Sequence, residues 1–241
     1  MAKRKVLITG AAGRIGRALR AGLDGRYALR LTDRKPIEPL AAGEEAEVAD
    51  LNDLEAMERV CAGVYAVVHL GGLPAVSTPW EEVLEANIKG TYSIYEAAKR
   101  AGVDRVVFAS SNHATGFYEQ EGVYTTPDMP ERPDSYYGVS KAFGEDLGRY
   151  YYDAFGLKAY CLRIGSFVGE DAVKNRKGDR ILSTWLSTRD AVQLVWRCIE
   201  ADRTGYGIFY GISGNKRAYW DTANARELLG YAPEDDAERL A

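Results

Sequence analysis

The chain has 241 residues, 46% of them apolar, enough for one sizeable core, and its net charge of −4 comes from 31 basic and 35 acidic residues interspersed along its length. With no basic stripe to follow a phosphate backbone, nucleic acid is excluded as the main partner. No segment approaches the roughly 20 apolar residues that span a bilayer, and MAKRKVLITG runs from a few cations straight into a short strand without a signal-peptide core, so no membrane association and a cytoplasmic location are expected.

Short apolar runs alternate with segments of helical period, the pattern of a parallel sheet covered by helices on both faces. The runs predict strands at Lys5 to Thr9, Tyr27 to Thr32, Glu45 to Val48, Ala66 to Leu70, Arg105 to Ala109, Lys158 to Arg163 and Gly207 to Tyr210. After the first strand, Ile15, Ala18, Leu19, Gly22 and Leu23 recur at helical spacing and Gly25 stops the helix. Trp80 to Ala101 reads as one long helix closed by Gly102, and Ser135 to Phe155 as another. From Ser166 to Arg180 the chain is polar and aperiodic, a loop or small lobe. Ser187 to Glu200 is helical again, with Ser187 and Asp190 spaced as a capping box, and a last helix runs from about Asp221 to Gly230. Cys61, Cys161 and Cys198 are odd in number and set among apolar neighbours, which reads as reduced core thiols with no metal site.

GAAGRIG follows the first strand, so Gly10, Gly13 and Gly16, with Arg14 and Ile15 between them, fall where a strand hands over to a helix. Glycine there permits a tight turn and close backbone approach to a pyrophosphate, whose charge the helix-start N–H groups and dipole stabilise. Asp33 ends the second strand, close to the spacing of about 20 residues expected of the acid that accepts hydrogen bonds from an adenosine ribose. A carboxylate repels a 2′-phosphate, which favours NAD over NADP; the adjacent Arg34 is the residue that could instead hold that phosphate. The expected fold is therefore α/β, a Rossmann-type doubly wound parallel sheet forming a single NAD(P)-binding domain over 1–241, with elements of a small C-terminal substrate-binding lobe within 166–186 and 203–241.

Tyr137 and Lys141, in YGVSK, lie four residues apart on one face of a helix. A tyrosine hydroxyl, with a pKa of about 10, becomes a useful base at neutral pH only when nearby positive charge stabilises its phenolate. Asn112 and His113 follow a strand at its carboxyl end, where open α/β sheets place ligands. His69 sits in an apolar strand and reads as a core histidine, and Tyr150 to Tyr152 as packing or a subunit interface.

Taken with GAAGRIG and Asp33, YGVSK resembles the YxxxK motif of the short-chain dehydrogenase/reductase family, in its extended, sugar-modifying branch, and the resemblance covers nearly the whole chain. It implies that Tyr137 is the general base, that Lys141 holds the nicotinamide ribose and lowers the tyrosine pKa, and that a serine of VVFASSN orients the substrate hydroxyl. Ser111, five residues before Gly116 as in extended members, is preferred over Ser110. The resemblance further assigns Asp50 and Leu51 to adenine, Leu70, Gly71 and Gly72 of HLGG to the pyrophosphate and ribose, and Asn87 of NIKGT and Ile164 to the same cofactor site. An intact YGVSK argues against an NAD-sensing regulator without turnover.

FASSNHATGFY, DSYYGVSKAFGEDLGRYY, LRIGS and RILSTWLS, with a late Trp220 and Asp221, resemble the uronate dehydrogenases within that family. This implies oxidation by NAD of the C1 hydroxyl of free glucuronate or galacturonate to an aldarolactone. Asn112, His113 and Ser166 would then bind sugar hydroxyls, and Arg180 of GDRILSTW the substrate carboxylate, as a bidentate guanidinium does well. Read from the residues alone, Arg180 also fits a basic surface loop with Lys174, Arg176 and Lys177, which would suit a sugar phosphate. Little more than 75 residues follow Arg163, which favours a small unconjugated sugar over the nucleotide sugars of epimerases and dehydratases. Arg14 in the glycine loop and the long charged loop Gly169 to Asp179 depart from the family pattern and are expected to reshape the pocket entrance. Helices such as Trp80 to Ala101 and Ser135 to Phe155 pair across a dimer in relatives, so a homo-oligomer is implied.

Overall fold

In a computed structural model of the protein, which describes residues 3–175 and 180–240, seven strands form one parallel sheet in the order β3-β2-β1-β4-β5-β6-β7. They are β1 (Lys5–Thr9), β2 (Ala28–Asp33), β3 (Glu44–Val48), β4 (Ala66–His69), β5 (Arg105–Ser111), β6 (Lys158–Ile164) and β7 (Tyr206–Gly211). The central strands are near-continuous runs of apolar residues because both faces are covered. At the edge, three of the five residues of β3, EEAEV, are acidic, and their charges discourage pairing with another chain.

The helices are α1 (Arg14–Leu23), α2 (Leu54–Cys61), α3 (Trp80–Val83), α4 (Gly90–Arg100), α5 (Gly116–Gln120), α6 (Tyr136–Phe155), α7 (Glu170–Lys174), α8 (Ile181–Thr184) and α9 (Thr188–Glu200). On one face of the sheet α1 and α9 bury Leu19, Leu23, Leu194 and Val195 against Val6, Ile8 and Val68. On the other, α2, α4 and α6 bury Met57, Val60, Ile94 and Tyr151 against Leu7, Val67 and Phe108. Each fully buried side chain of this kind contributes roughly 1.5–3 kcal/mol relative to its exposed state, so these two apolar layers hold the sheet and leave the polar strand ends free for chemistry. The three thiols are free and buried within them, Cys198 in the first layer and Cys61 and Cys161 in the second. No helix among the described residues is long and apolar enough to cross a membrane.

Several expectations change in detail. The helix expected over Trp80 to Ala101 is interrupted by a π turn at Leu84–Lys89 between α3 and α4. The polar stretch from Ser166 contains α7 and leads into α8, which bury Val173, Ile181 and Leu182 against Trp185; these apolar residues are too sparse to give a period. Residues 176–179, including Arg176 and Lys177 of the charged loop, lie outside the described residues. The capping box at α9 is half formed: Ser187 accepts from the Asp190 N–H at 3.0 Å. The Asp190 carboxylate instead accepts from the N–H groups of Glu234 (2.9 Å) and Asp235 (3.1 Å), anchoring the carboxyl-terminal segment. Finally, the helix expected near Asp221 contains a π turn, Ala225–Leu229, closed by Gly230 at φ 70°. The tyrosine run divides as well: Tyr151 is buried and donates to Glu96, Tyr152 stacks on Tyr206, and Tyr150 is exposed.

Candidate active site

From β1 the chain builds outward through β2 and β3, then crosses back to lay β4 against the other side of β1 and continue to β7. Loops leaving the carboxyl ends of β1 and β4 therefore diverge, and such a switch point leaves a crevice. Here it is a cleft of about 930 Å³, lined along one half by the glycine loop, Asp33, Arg34, Asp50, Leu51, Leu70, Gly71 and Gly72, and along the other by Ser111, Asn112, His113, Tyr137, Ser166 and Arg180.

The first half has the shape of a dinucleotide cradle. Gly10 has φ 65°, and a Cβ on it would lie 2.8 Å from the Gly71 nitrogen, while a Cβ on Gly16 would lie 2.5 Å from the Gly10 carbonyl oxygen. Only glycine allows the loop to close this tightly beneath the start of α1. The first turn of α1, Arg14 and Ile15 included, begins without a side-chain cap and borders the cleft, so its free N–H groups are available to an anion. Asp33 is fixed at the end of β2 by the N–H groups of Ala12 (3.1 Å) and Lys35 (3.2 Å). Asp50 accepts from the Asn52 N–H at 2.9 Å, and the Leu51 side chain packs against Gly71, whose missing Cβ leaves room for it. Ile164 lines the cleft where β6 ends. Arg14 reaches across the rim to the Phe167 carbonyl at 3.0 Å, linking the glycine loop to the segment after β6.

Asn87 stands behind this wall, 1% exposed, on the π turn. Its amide accepts from the Leu73 N–H at 2.7 Å and donates to the Leu73 carbonyl (3.1 Å) and to Ser140 Oγ (3.1 Å), tying the loop after Gly72 to α6. The residue thus meets the cleft through the backbone it holds. His69 is buried beneath, within hydrogen-bond distance of Thr9 (2.8 Å) and Thr91 (3.3 Å).

In the second half, β5 ends in Ser110 and Ser111, which a strand turns to opposite sides. Ser110 donates to the buried Glu145, whereas Ser111 accepts from the His113 N–H at 3.2 Å and lies on the Tyr137 side. Tyr137 enters on the first turn of α6, which Ser135 caps by accepting from the Gly138 N–H at 3.0 Å. One turn on, the Lys141 ammonium is 5.5 Å from the Tyr137 ring centroid and 5.0 Å from that of Phe108. Burial pulls Lys141 down to about 8, with Glu145 opposing the fall. Burial likewise pushes the Tyr137 hydroxyl above its ordinary value, and the hydrogen bond to Ser111 works against that. Desolvation therefore outweighs the Ser111 hydrogen bond at Tyr137.

His113 presents Nδ1 to the Asp134 carboxylate at 2.8 Å, an arrangement that assigns the N–H to Nδ1 and leaves Nε2 for the cleft. Arg180 carries the far wall. Its Nε and Nη2 form a two-pronged pair with Glu119, Nη1 donates to Ser166 Oγ at 3.0 Å, and the guanidinium lies 5.6 Å from the Trp220 ring centroid. In the orientation that satisfies both its amide atoms, Asn112 donates to the Ile164 carbonyl at 3.1 Å and accepts from Arg180 Nη2 at 2.9 Å. Arg180 is thus a cleft residue, while Lys174 pairs loosely with Glu170 and Asp171. Asp221 accepts from the Ala223 N–H at 2.7 Å and shapes the turn after Trp220.

Sequence reasoning passed over Glu119, Tyr219, Asp134 and the buried pair Glu145–Arg163. Tyr219 donates to Glu119 at 2.8 Å, and Arg163 Nη2 to Glu145 at 2.8 Å, with both members of the latter pair fully buried. Glu119 directly follows the stretch GFY, yet nothing in its spacing points to Arg180.

Residues 6–204 match the profile of the NAD dependent epimerase/dehydratase family. The chain is 44% identical to a uronate dehydrogenase of Pseudomonas syringae pv. tomato over 236 residues, 97% of this chain and 83% of that protein. It is 42% identical to an NAD-dependent glucose-6-phosphate dehydrogenase of Haloferax volcanii over 250 residues, 96% of this chain and 94% of that one. Among solved structures, a mutant uronate dehydrogenase from Agrobacterium tumefaciens complexed with NAD superposes with a TM-score of 0.90 at 41% identity, covering 99% of this chain and 87% of that chain.

Proposed function

The chain belongs to the NAD dependent epimerase/dehydratase family, and we propose that within it this protein oxidises the C1 hydroxyl of a free hexuronic acid, D-glucuronate or D-galacturonate, to the aldarolactone with NAD. The observation that carries the reading is that Ser111, Tyr137 and Arg180 line the same cleft as the glycine loop. A sugar seated there can offer C1 to Tyr137 and its carboxylate to Arg180. Residues 1–241 act as one nucleotide-binding domain in this reading, with elements within 166–186 and 203–241 forming the substrate wall.

NAD, when bound, supplies the hydride acceptor and a positive charge beside Tyr137. The cradle residues fit it: the glycine loop and the first turn of α1 for the pyrophosphate, Asp33 for the adenosine ribose, Asp50 and Leu51 for adenine. Tyr137 takes the proton of the C1 hydroxyl, which Ser111 orients, and general-base assistance of this kind is worth about 10²–10⁴ in rate. Lys141 holds the nicotinamide ribose. Because the ring oxygen stays bonded to C1 as the hydride departs, a lactone is the direct product. Asn112, Ser166 and His113 Nε2 take the sugar hydroxyls. The similarity to a glucose-6-phosphate dehydrogenase favours a second reading, C1 oxidation of a sugar phosphate.

The test is NADH formation, followed by absorbance, across free uronic acids, neutral sugars and sugar phosphates, with NAD and NADP compared. Turnover of uronates with NAD is expected, as is a KM for uronate raised by about tenfold or more in Arg180→Ala, the size of one lost charge-assisted interaction. Activity confined to phosphates, or absent throughout, sinks the reading.

A further inference from the structure

We propose that Glu119 sets how strongly the cleft prefers an acidic sugar over a neutral one, by competing with the substrate carboxylate for Arg180. The proposal rests on the uronate reading above and adds a selectivity residue to it.

A guanidinium has five N–H donors. In Arg180, Nε donates to Glu119, Nη2 to Glu119 and Asn112, and Nη1 to Ser166, which leaves one without a partner among the described residues. A carboxylate is recognised best by two parallel N–H groups, and the Nε and Nη2 pair of Arg180 opens to a substrate only where Glu119 withdraws. Charge points the same way. Glu119 already neutralises Arg180, and the Asp134 carboxylate beside His113 lies nearby, so this end of the cleft offers an incoming anion little attraction while the pair is closed.

Glu119 also has somewhere to go. Tyr219 OH donates to one of its oxygens at 2.8 Å and can keep that bond as the carboxylate turns away from Arg180. Arg180 is held from other directions, by Ser166 and by the Trp220 ring, so the acid is the member that moves. A carboxylate tethered on α5 competes as an internal ligand at high effective concentration. Every acidic substrate must overcome it, while a neutral sugar gains nothing from its displacement.

The experiment measures binding without turnover. D-glucuronate and D-glucose are titrated calorimetrically into the full-length protein with NADH present, for wild type, Glu119→Gln and Glu119→Ala, and thermal melts verify the fold. Both variants are expected to bind glucuronate more tightly by on the order of tenfold, the size of one charge-assisted pair, with glucose changing less than about twofold. In the NAD-coupled oxidation, KM for glucuronate should fall in parallel while kcat holds. A folded variant in which the glucuronate-to-glucose affinity ratio is unchanged or lower overturns the proposal. Wild type that fails to oxidise any uronate overturns the functional reading instead, and the binding ratio decides the role of Glu119 in either case.

Discussion

Replacing Lys141 with methionine should make the protein more stable and inactive. The folded chain leaves Lys141 only 6% exposed at the floor of the cleft and pulls its pKa from 10.5 down to about 8, chiefly by desolvation. A fall of about 2.5, at roughly 1.4 kcal/mol for each, corresponds to about 3 kcal/mol by which folding opposes the charged form. The unfolded chain keeps this proton up to about 10.5, whereas the folded chain releases it near 8. Between those values the unfolded state holds more protons, so wild-type stability rises with pH across that window; below it both states are charged and the whole cost is present. Lys141→Met removes the charge at similar volume. At pH 7 the variant should gain about 3 kcal/mol, or roughly 6–12 °C in Tm for a chain of this size, and the gain should shrink toward zero as pH approaches about 10.5. Urea unfolding of both proteins at pH 7, 8.5 and 10 measures it. A variant less stable than wild type at pH 7, or an advantage that does not shrink with pH, refutes the reasoning.

Three further outcomes are expected. Tyr137→Phe should lower kcat by about 10²–10⁴ with NAD affinity nearly unchanged in calorimetry; kcat within a few-fold of wild type would assign the proton to another group. Gly16→Ala places a methyl 2.5 Å from the Gly10 carbonyl oxygen and 2.6 Å from Ala11 Cα, an overpacking worth about 1–3 kcal/mol, so NAD affinity should drop by about tenfold or more, and an unaltered affinity argues against the glycine loop as the pyrophosphate cradle. Glu145→Gln strips the fully buried Arg163 of its closest carboxylate, leaving Glu131 at 3.3 Å, and should cost about 3–5 kcal/mol in urea unfolding, most of it regained when Arg163 is also made methionine; a midpoint equal to wild type would mean the pair carries no such burden.

The sheet was readable because its central strands, buried on both faces, are short unbroken apolar runs between glycine-marked turns. All seven predicted strands fall within a residue or two of β1 to β7. Ser111 was separable from Ser110 by its spacing of five residues to Gly116, and the structure adds the physical reason: β5 runs on to Ser111 and turns the two serines to opposite sides. The π turn at Leu84–Lys89 was not readable: one extra residue per turn barely disturbs a helical period, and its effect on Asn87 emerges only in three dimensions. Glu119 and Arg180 are 61 positions apart and meet because β5 and β6 are neighbours, with Ser111 in register with Ile164. Pairing of that kind leaves no local pattern. The half-closed capping box failed for a related reason, since the donors that claimed Asp190 come from Glu234 and Asp235, far along the chain.

The three buried thiols give this protein a built-in set of unfolding reporters. Burial pushes Cys61 up to about 12 and raises Cys161 and Cys198 well above the ordinary thiol value, so almost no thiolate exists at neutral pH to meet an alkylating reagent while the fold is closed. Alkylation then proceeds only as fast as each layer opens. Cys198 times the side of the sheet built on α1 and α9, and Cys61 and Cys161 time the side built on α2, α4 and α6. Mass spectrometry of the labelled peptides would resolve whether the two sides separate together or one after the other.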